Sequence, residues 1–299
     1  IVLAALREGI AMSLSTQLGK ERNIFEETPE HAGRINLNSP VLSPRKYYSL
    51  KHNKHPGYEV RKFGLNYDPE QVALRTALIA LCADVEQAVR SGVTICILSD
   101  HDIEVGKIPL QSVFAVGAVH NHLTVKGLRC DANIIVSTGA ARDPHQIATL
   151  IGCGATAVYP YLSYHVLYDM IESGELVINV DTAFKHYRRG INKGLLKILS
   201  KMGISTIASY RGAMLYEAIG LGDEIIELCF PWLVSRIRGA EFVDFQSDQQ
   251  ILAELAWRDR KAISPGGLFK YIHGGEYHAF NPDVVQILQK AVRSGCYAD

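Results

Sequence analysis

The sequence predicts an α/β chain in which a parallel sheet is flanked by helices, arranged as an open sheet covered on both sides or as a partial (βα) barrel. From residue 69 onward, short β-branched apolar runs alternate with stretches of helical periodicity. The strand runs are apolar almost throughout, as strands buried on both faces are. Proline opens and glycine closes successive helical stretches, which separates helix from strand.

Residues 1–68 come first and read as an irregular N-terminal arm, with Pro29, Pro40, Pro44 and Pro56 and the charged run KERNIFEETPEH. The α/β region is assigned to 69–240. Val72, Leu74, Ala77, Leu78, Leu81, Val85 and Val89 recur at helical spacing, and Ser91-Gly92 stops that helix before a strand at Val93–Leu98. Pro109 is expected to open a helix through Val119. Strands are expected at Asn133–Val136 and Ala155–Tyr159, with a helix from Pro144 to Ile151 between them, entered through Asp143 as cap. A helix closed by Gly203, a strand over Ser205–Ser209 and a further helix closed by Gly220 complete the region. Residues 241–299 read as a helical linker: an amphipathic helix from Phe242 to Lys261, a Ser264-Pro265-Gly266-Gly267 turn and a last helix from Asp283 to Val292.

With 47% apolar residues in 299, the chain can bury a substantial core. Lys plus Arg and Asp plus Glu both number 31, and basic residues are not interleaved with aromatics, so neither nucleic acid nor a membrane surface is expected as partner. The six cysteines are widely spaced and mostly inside apolar runs, which implies reduced thiols and a cytoplasmic protein. The apolar runs are far shorter than the ~20 residues a membrane span requires. The chain starts without an initiator Met, which reads as an excerpt of a longer polypeptide.

Four groups of residues could carry chemistry. Ser137 to His145 links a strand to a helix, the layout of a phosphate-binding turn, but Gly139 is its only glycine and Pro144 lacks a donor, so an ordinary helix entry is expected. Ser99, Asp100, His101 and Asp102 are neighbours and diverge too much for a charge relay; they read as a loop cap. His120 and His122 fall on a helix, where they face apart and cannot chelate one metal. Arg142, His145, Tyr210 and Arg211 lie at expected strand ends, a place where an anion or another domain could be met.

Several long blocks closely resemble the central domain of the glutamate synthase large subunit: MSLSTQLGKERNIFEE, SPVLS, GLRCDANIIVSTGAARDPHQIATLIGCGATAVYPYL, YRRGINKGLLKILSKMGISTIASYRGAMLYEAIGLGDEII and HGGEYHAFNPDVVQILQKAVRSG. They cover nearly the whole chain in order. The resemblance implies a degenerate (βα) barrel-like central domain with no catalytic residue, cofactor or metal of its own, inside a parent enzyme that uses FMN and an iron-sulfur cluster. That parent converts glutamine and 2-oxoglutarate to two glutamates. The implied partners are the amidotransferase and FMN domains of the same polypeptide, with a small subunit in addition. This domain would link them and help wall an internal ammonia tunnel. Such a tunnel needs polar but non-acidic walls, since a carboxylate would trap ammonium. Met12, Ser13, Ser15, Thr16, Ser39 and Ser43 meet that requirement and are the candidate lining. One departure from the family pattern is Arg238 in a turn that generally carries glycine, with the bulky Trp232 nearby. The alternative reading is a stand-alone α/β enzyme or binding protein that holds an anionic metabolite at the strand C-termini.

Overall fold

The computed structural model describes residues 2–258, 271–275, 277–279 and 281–295, with backbone only for 2–6. It divides into two units, Ile1–Ala253 and Glu254–Asp299. In chain order the first unit contains α1 (Val2–Ala11), β1 (Thr16–Leu18), β2 (Ile35–Leu37), α2 (Pro44–Lys51), β3 (Val60–Gly64), β4 (Asn66–Tyr67) and α3 (Leu74–Arg90). There follow β5 (Ile95–Ser99), β6 (Ile108–Pro109), α4 (Ser112–Val125), β7 (Asn133–Ser137), α5 (Pro144–Gly152), β8 (Ala157–Tyr159), α6 (Tyr161–Glu172) and α7 (Val180–Met202). The short α8 (Ile207–Tyr210), β9 (Glu217–Leu221), α9 (Asp223–Cys229), β10 (Val234–Ala240) and α10 (Phe242–Trp257) close this part, and α11 (Pro282–Ser294) lies in the second unit. The expected Ser264–Gly267 turn lies outside the described residues.

The central sheet is parallel, with order β3-β5-β7-β8. Each strand neighbours the next one of the sheet, with α3, α4 and α5 as successive crossovers, so the sheet is wound in one direction as a barrel is but remains open. Every residue of β5 and β7 is buried, which explains why these runs are apolar without alternation.

The two faces have different covers. Cys96, Leu98, Ile134, Val136 and Val158 pack against the apolar sides of α3, α4, α5 and α7. Ile95, Ile97, Ile135, Ala157 and Tyr159 face Leu18, Leu37, Leu42, Tyr47 and Leu50 from the arm, and Tyr164 from α6. Tyr47 stacks on Tyr159 at 4.1 Å between ring centres. In a closed barrel that second face would line the lumen; here the arm fills it. Each fully buried Leu or Ile in these layers stabilises the fold by about 1.5–3 kcal/mol relative to exposure.

The arm also supplies both flanks of the sheet. β3 is one edge strand, and at the other the backbone of Pro40–Leu42 runs parallel to β8, with Leu42 N donating to Val158 O at 2.9 Å and Val158 N to Pro40 O at 2.8 Å.

The helix caps follow their residue types. Asp143 accepts from Gln146 N at 2.9 Å to start α5, Ser43 accepts from Lys46 N at 3.4 Å to start α2, and Gly203 ends α7 at φ 72°.

Four expectations are corrected. Ser205–Ser209 is not a strand: Thr206 makes a single bridge to Ser13, and Ile207–Tyr210 is one helical turn. Its β-branched run is too short to form a ladder, and the Thr206 and Ser209 hydroxyls bond to each other at 2.9 Å across the turn. The expected helix before Gly220 is instead β9, where Gly220 at φ 77° sits inside the strand rather than capping a helix. Pro109 belongs to β6, which pairs with β4, and the helix starts at Ser112. Arg238 lies in β10 and not at a positive φ; among described non-glycine residues that conformation is confined to Met214.

Candidate functional site

The C-terminal rim of the sheet collects the polar side chains that the strands deliver. Asp100 directly follows β5 and is 7% exposed. Its carboxylate accepts from Thr138 Oγ1 at 2.5 Å and from Gly139 N at 3.1 and 3.3 Å, both in the turn after β7. Thr138 Oγ1 also lies 2.7 Å from Ser112 Oγ, in the first turn of α4. Burial raises the Asp100 carboxyl above its ordinary range, and the Thr138, Gly139 and Tyr161 donors pull it partly back. Above this network stand Tyr161, His101 at 4.6 Å from the Tyr161 ring, and His165 at 6.0 Å from His101. Lys62 from β3 pairs with Asp102.

This arrangement answers the phosphate question raised by the β7–α5 turn. The Gly139 amide that an anion would need already faces an internal carboxylate, and the lumenal face is packed with Tyr47, Tyr159 and Tyr164. The turn amide and the space on that face are thus taken up by groups of the chain itself. Among the described residues no group of three His, Cys, Asp or Glu could hold a metal ion. The five described cysteines are unpaired, with Cys82, Cys96, Cys153 and Cys229 buried and Cys130 exposed.

Beside the network, between the start of α4 and the side of α5, lies a cavity of about 320 Å³ bordered by Asp100, Leu110, Gln111, Ser112, Ala141 and Leu150. That volume is at the low end of small-molecule sites. Asp100 and Thr138 belong to groups that the sequence singled out, read there as a loop cap and an ordinary helix entry, whereas Ser112 was not singled out, and neither was the contact of Asp100 with Thr138. The available signal was an acidic residue immediately after an entirely apolar strand, where burial forces it to find donors.

The four strand-end candidates do not come together. Arg142 and His145 are exposed at the N-terminal end of α5. Tyr210 and Arg211 lie at its other end, where Gly212 N donates to Ile151 O at 3.0 Å. The nine residues of α5 separate the pairs by about 13 Å. Tyr210 is 1% exposed and its hydroxyl pairs with that of Tyr216, which itself donates to Ala148 O at 2.9 Å. Arg211 forms an ion pair with Glu21 of the arm at 3.0 Å.

Near Arg211 is a cluster that the sequence did not reveal. Arg129 donates to His120 Nδ1 at 2.9 Å, Ala132 O at 2.6 Å and Gly154 O at 2.8 Å. Burial first, then the Arg129 and Arg211 charges, pushes His120 down to about 4, so it is the neutral acceptor of this network. His122, two residues on, instead bonds Glu86 at 2.6 Å, the divergence expected on a helix.

The tunnel candidates occupy several places along the arm. Met12 borders a groove of about 240 Å³ with Ala11, Ser200, Gly203 and Ser205, and also with Arg7 and Glu8. Ser13 is held by backbone bonds to Ser205 and Ile207. Ser15 Oγ donates to Leu37 O at 3.3 Å, and Thr16 is buried in β1. Ser39 Oγ donates to Asn192 Oδ1 at 2.7 Å, while Ser43 caps α2.

A sequence model of the family described as the glutamate synthase central domain matches residues 3–222. The chain belongs to that family. It is 37% identical over 295 residues to the glutamate synthase [NADPH] large chain of Bacillus subtilis, covering 98% of this chain and 19% of that one. It is 36% identical to ferredoxin-dependent glutamate synthase 1 of Arabidopsis thaliana, covering 96% of this chain and 19% of the relative. A glutamate synthase central domain of this length therefore spans about a fifth of these relatives, and the identities do not separate the two electron-donor branches. Among solved structures, a mutant flavocytochrome b2 with benzoylformate matches at TM-score 0.39 and 15% identity over 62% of this chain and 43% of that one. The flavin-binding domain of baker's yeast flavocytochrome b2 matches at TM-score 0.37 and 16% identity over 63% and 43%. No described helix is long and apolar enough to cross a membrane.

Proposed function

We propose that this glutamate synthase central domain is a non-catalytic connector, joining an amidotransferase domain to an FMN domain of the same polypeptide and helping wall the passage for ammonia between them. The observation that carries this reading is the filled lumenal face. Where a flavin barrel needs an open lumen and free turn amides, this sheet has the arm packed against it and the Asp100 carboxylate on Gly139 N. The parent reaction, glutamine and 2-oxoglutarate to two glutamates, its FMN and iron-sulfur cluster, a small-subunit partner and a cytoplasmic location belong to the same reading. Some relatives, such as that of Spinacia oleracea, are named chloroplastic. For the tunnel, Met12 borders a groove, but Glu8 on the same border departs from the non-acidic lining that the passage needs. Ser43 and Ser39 are engaged as helix cap and interior hydrogen-bond donor.

The test has two arms. The purified 299-residue chain is expected to show no flavin absorbance and no glutaminase turnover; stoichiometric FMN would sink the proposal. In the parent enzyme, Met12→Trp is expected to raise glutamine hydrolysis relative to glutamate formation, and an unchanged ratio removes Met12 from the passage.

The 320 Å³ cavity favours a second reading, a binding site for a small metabolite at the rim. Its mostly apolar borders and the separation of Arg142 from Arg211 disfavour an anion. A thermal-shift screen with uncharged small metabolites beside phosphates and 2-oxoglutarate decides, since a ligand at about 100 times its dissociation constant stabilises by about 2.7 kcal/mol.

A further inference from the structure

Strands β9 and β10 form a two-stranded parallel ribbon, with no third strand beside it among the described residues. Parallel pairs occur almost only in sheets covered on both faces, and two strands alone are marginal in water. This ribbon is firmly placed. Its connecting helix α9 buries Ile225 and Cys229, and Gly117 of α4 packs directly against Cys229 O and the Phe230 ring. Within the ribbon, Gly239 lies so close to the backbone of Gly220 that a Cβ would stand 2.4 Å from its carbonyl oxygen.

The same ribbon exposes large apolar side chains, Ile219 at 68%, Ile237 at 57% and Val234 at 50%, and Trp232 in the turn leading into β10 is 73% exposed. Ile219 and Ile237 are register partners, so they add to one patch. Its charged groups pair with one another, Arg236 with Glu217 and Arg238 with Asp223, which leaves no net charge to recruit a charged ligand. Unpaired strand edges beside apolar side chains recognise one kind of occupant, an extended peptide with apolar side chains.

We propose that the β9–β10 ribbon is a docking edge that receives a strand from the portion of the parent enzyme that follows this domain in sequence. The proposal rests on the connector reading. β10 is the last strand in sequence among the described residues, and so the one nearest in the chain to the following portion, and the relatives are about five times longer than this chain.

Hydrogen exchange tests it, comparing the 299-residue chain with the parent enzyme. Amides of 234–240 that lack ladder partners are expected to exchange at least about tenfold more slowly in the parent. Ile237→Asp is expected to abolish that protection without changing the melting temperature of the 299-residue chain. Equal rates in both proteins, or protection that survives Ile237→Asp, would overturn the proposal. So would protection in the isolated chain that grows with its concentration alongside dimers in sedimentation, which would assign the edge to a second copy. Flavin retention by the isolated chain would overturn the connector reading while leaving the exchange result interpretable, so the two failures are distinguishable.

Discussion

Replacing Asp100 by Ala removes the acceptor for Thr138 Oγ1 and Gly139 N at a position only 7% exposed. Gly139 N is left without that acceptor at a cost of about 1–3 kcal/mol, and Thr138 Oγ1, which keeps Ser112 Oγ at 2.7 Å as a partner, adds at most about as much again. Removing a desolvated carboxylate offsets part of this, and a net loss of about 3 kcal/mol is expected. For a chain of this size the melting temperature falls about 2 °C per kcal/mol, a drop of about 6 °C by calorimetry or circular dichroism. Asp100→Asn keeps one carbonyl acceptor and is expected to lose about half as much. The pH dependence supplies an independent sign. The folded carboxyl is raised above its ordinary value of 3.8, so between that value and its folded pKa the native state holds a proton that the unfolded state has released. Wild-type stability therefore falls as pH rises through that window, whereas Asp100→Asn lacks that dependence. The advantage of wild type over Asp100→Asn should be largest at low pH and shrink as pH rises. An advantage that widens with pH, or an Asp100→Ala protein as stable as wild type, would refute the assignment of Asp100 as a buried, hydrogen-bonded anchor of the turn.

His120 gives the opposite slope. Its folded pKa of about 4 lies below the ordinary 6.5, so the unfolded state binds more protons between these values and stability is lost as pH falls through that range. About 3 kcal/mol is at stake, and His120→Asn should flatten that part of the stability profile. Gly117→Ala, in the middle of α4, would place a Cβ 2.5 Å from Cys229 O and 2.4 Å from the Phe230 ring. An exposed helix would gain from this change, but here overpacking should cost about 1–3 kcal/mol by denaturant unfolding. A stabilised variant would show that α9 does not pack tightly on α4.

The sequence by itself determined the elements whose signal is local. The strands β5 and β7 were legible because every residue in them is buried, and α3, α5 and α7 because their apolar spacing ends in recognisable caps such as Asp143 and Gly203. Family membership was legible for the same reason, since long contiguous blocks carry it. The tertiary structure decided what depends on partners distant in the chain. Val41 lies alongside β8 and β3 forms the opposite edge because a sheet edge accepts any extended segment the fold brings to it, and composition alone does not announce that. The segment 205–210 is not a strand because its β-branched run meets only a single bridge partner, at Ser13, and 217–221 is a strand because β10 lies beside it. Asp100 was read only as part of a loop cap and Arg129 was not read at all, because their significance is burial against donors and acceptors on other elements, which tertiary packing alone creates.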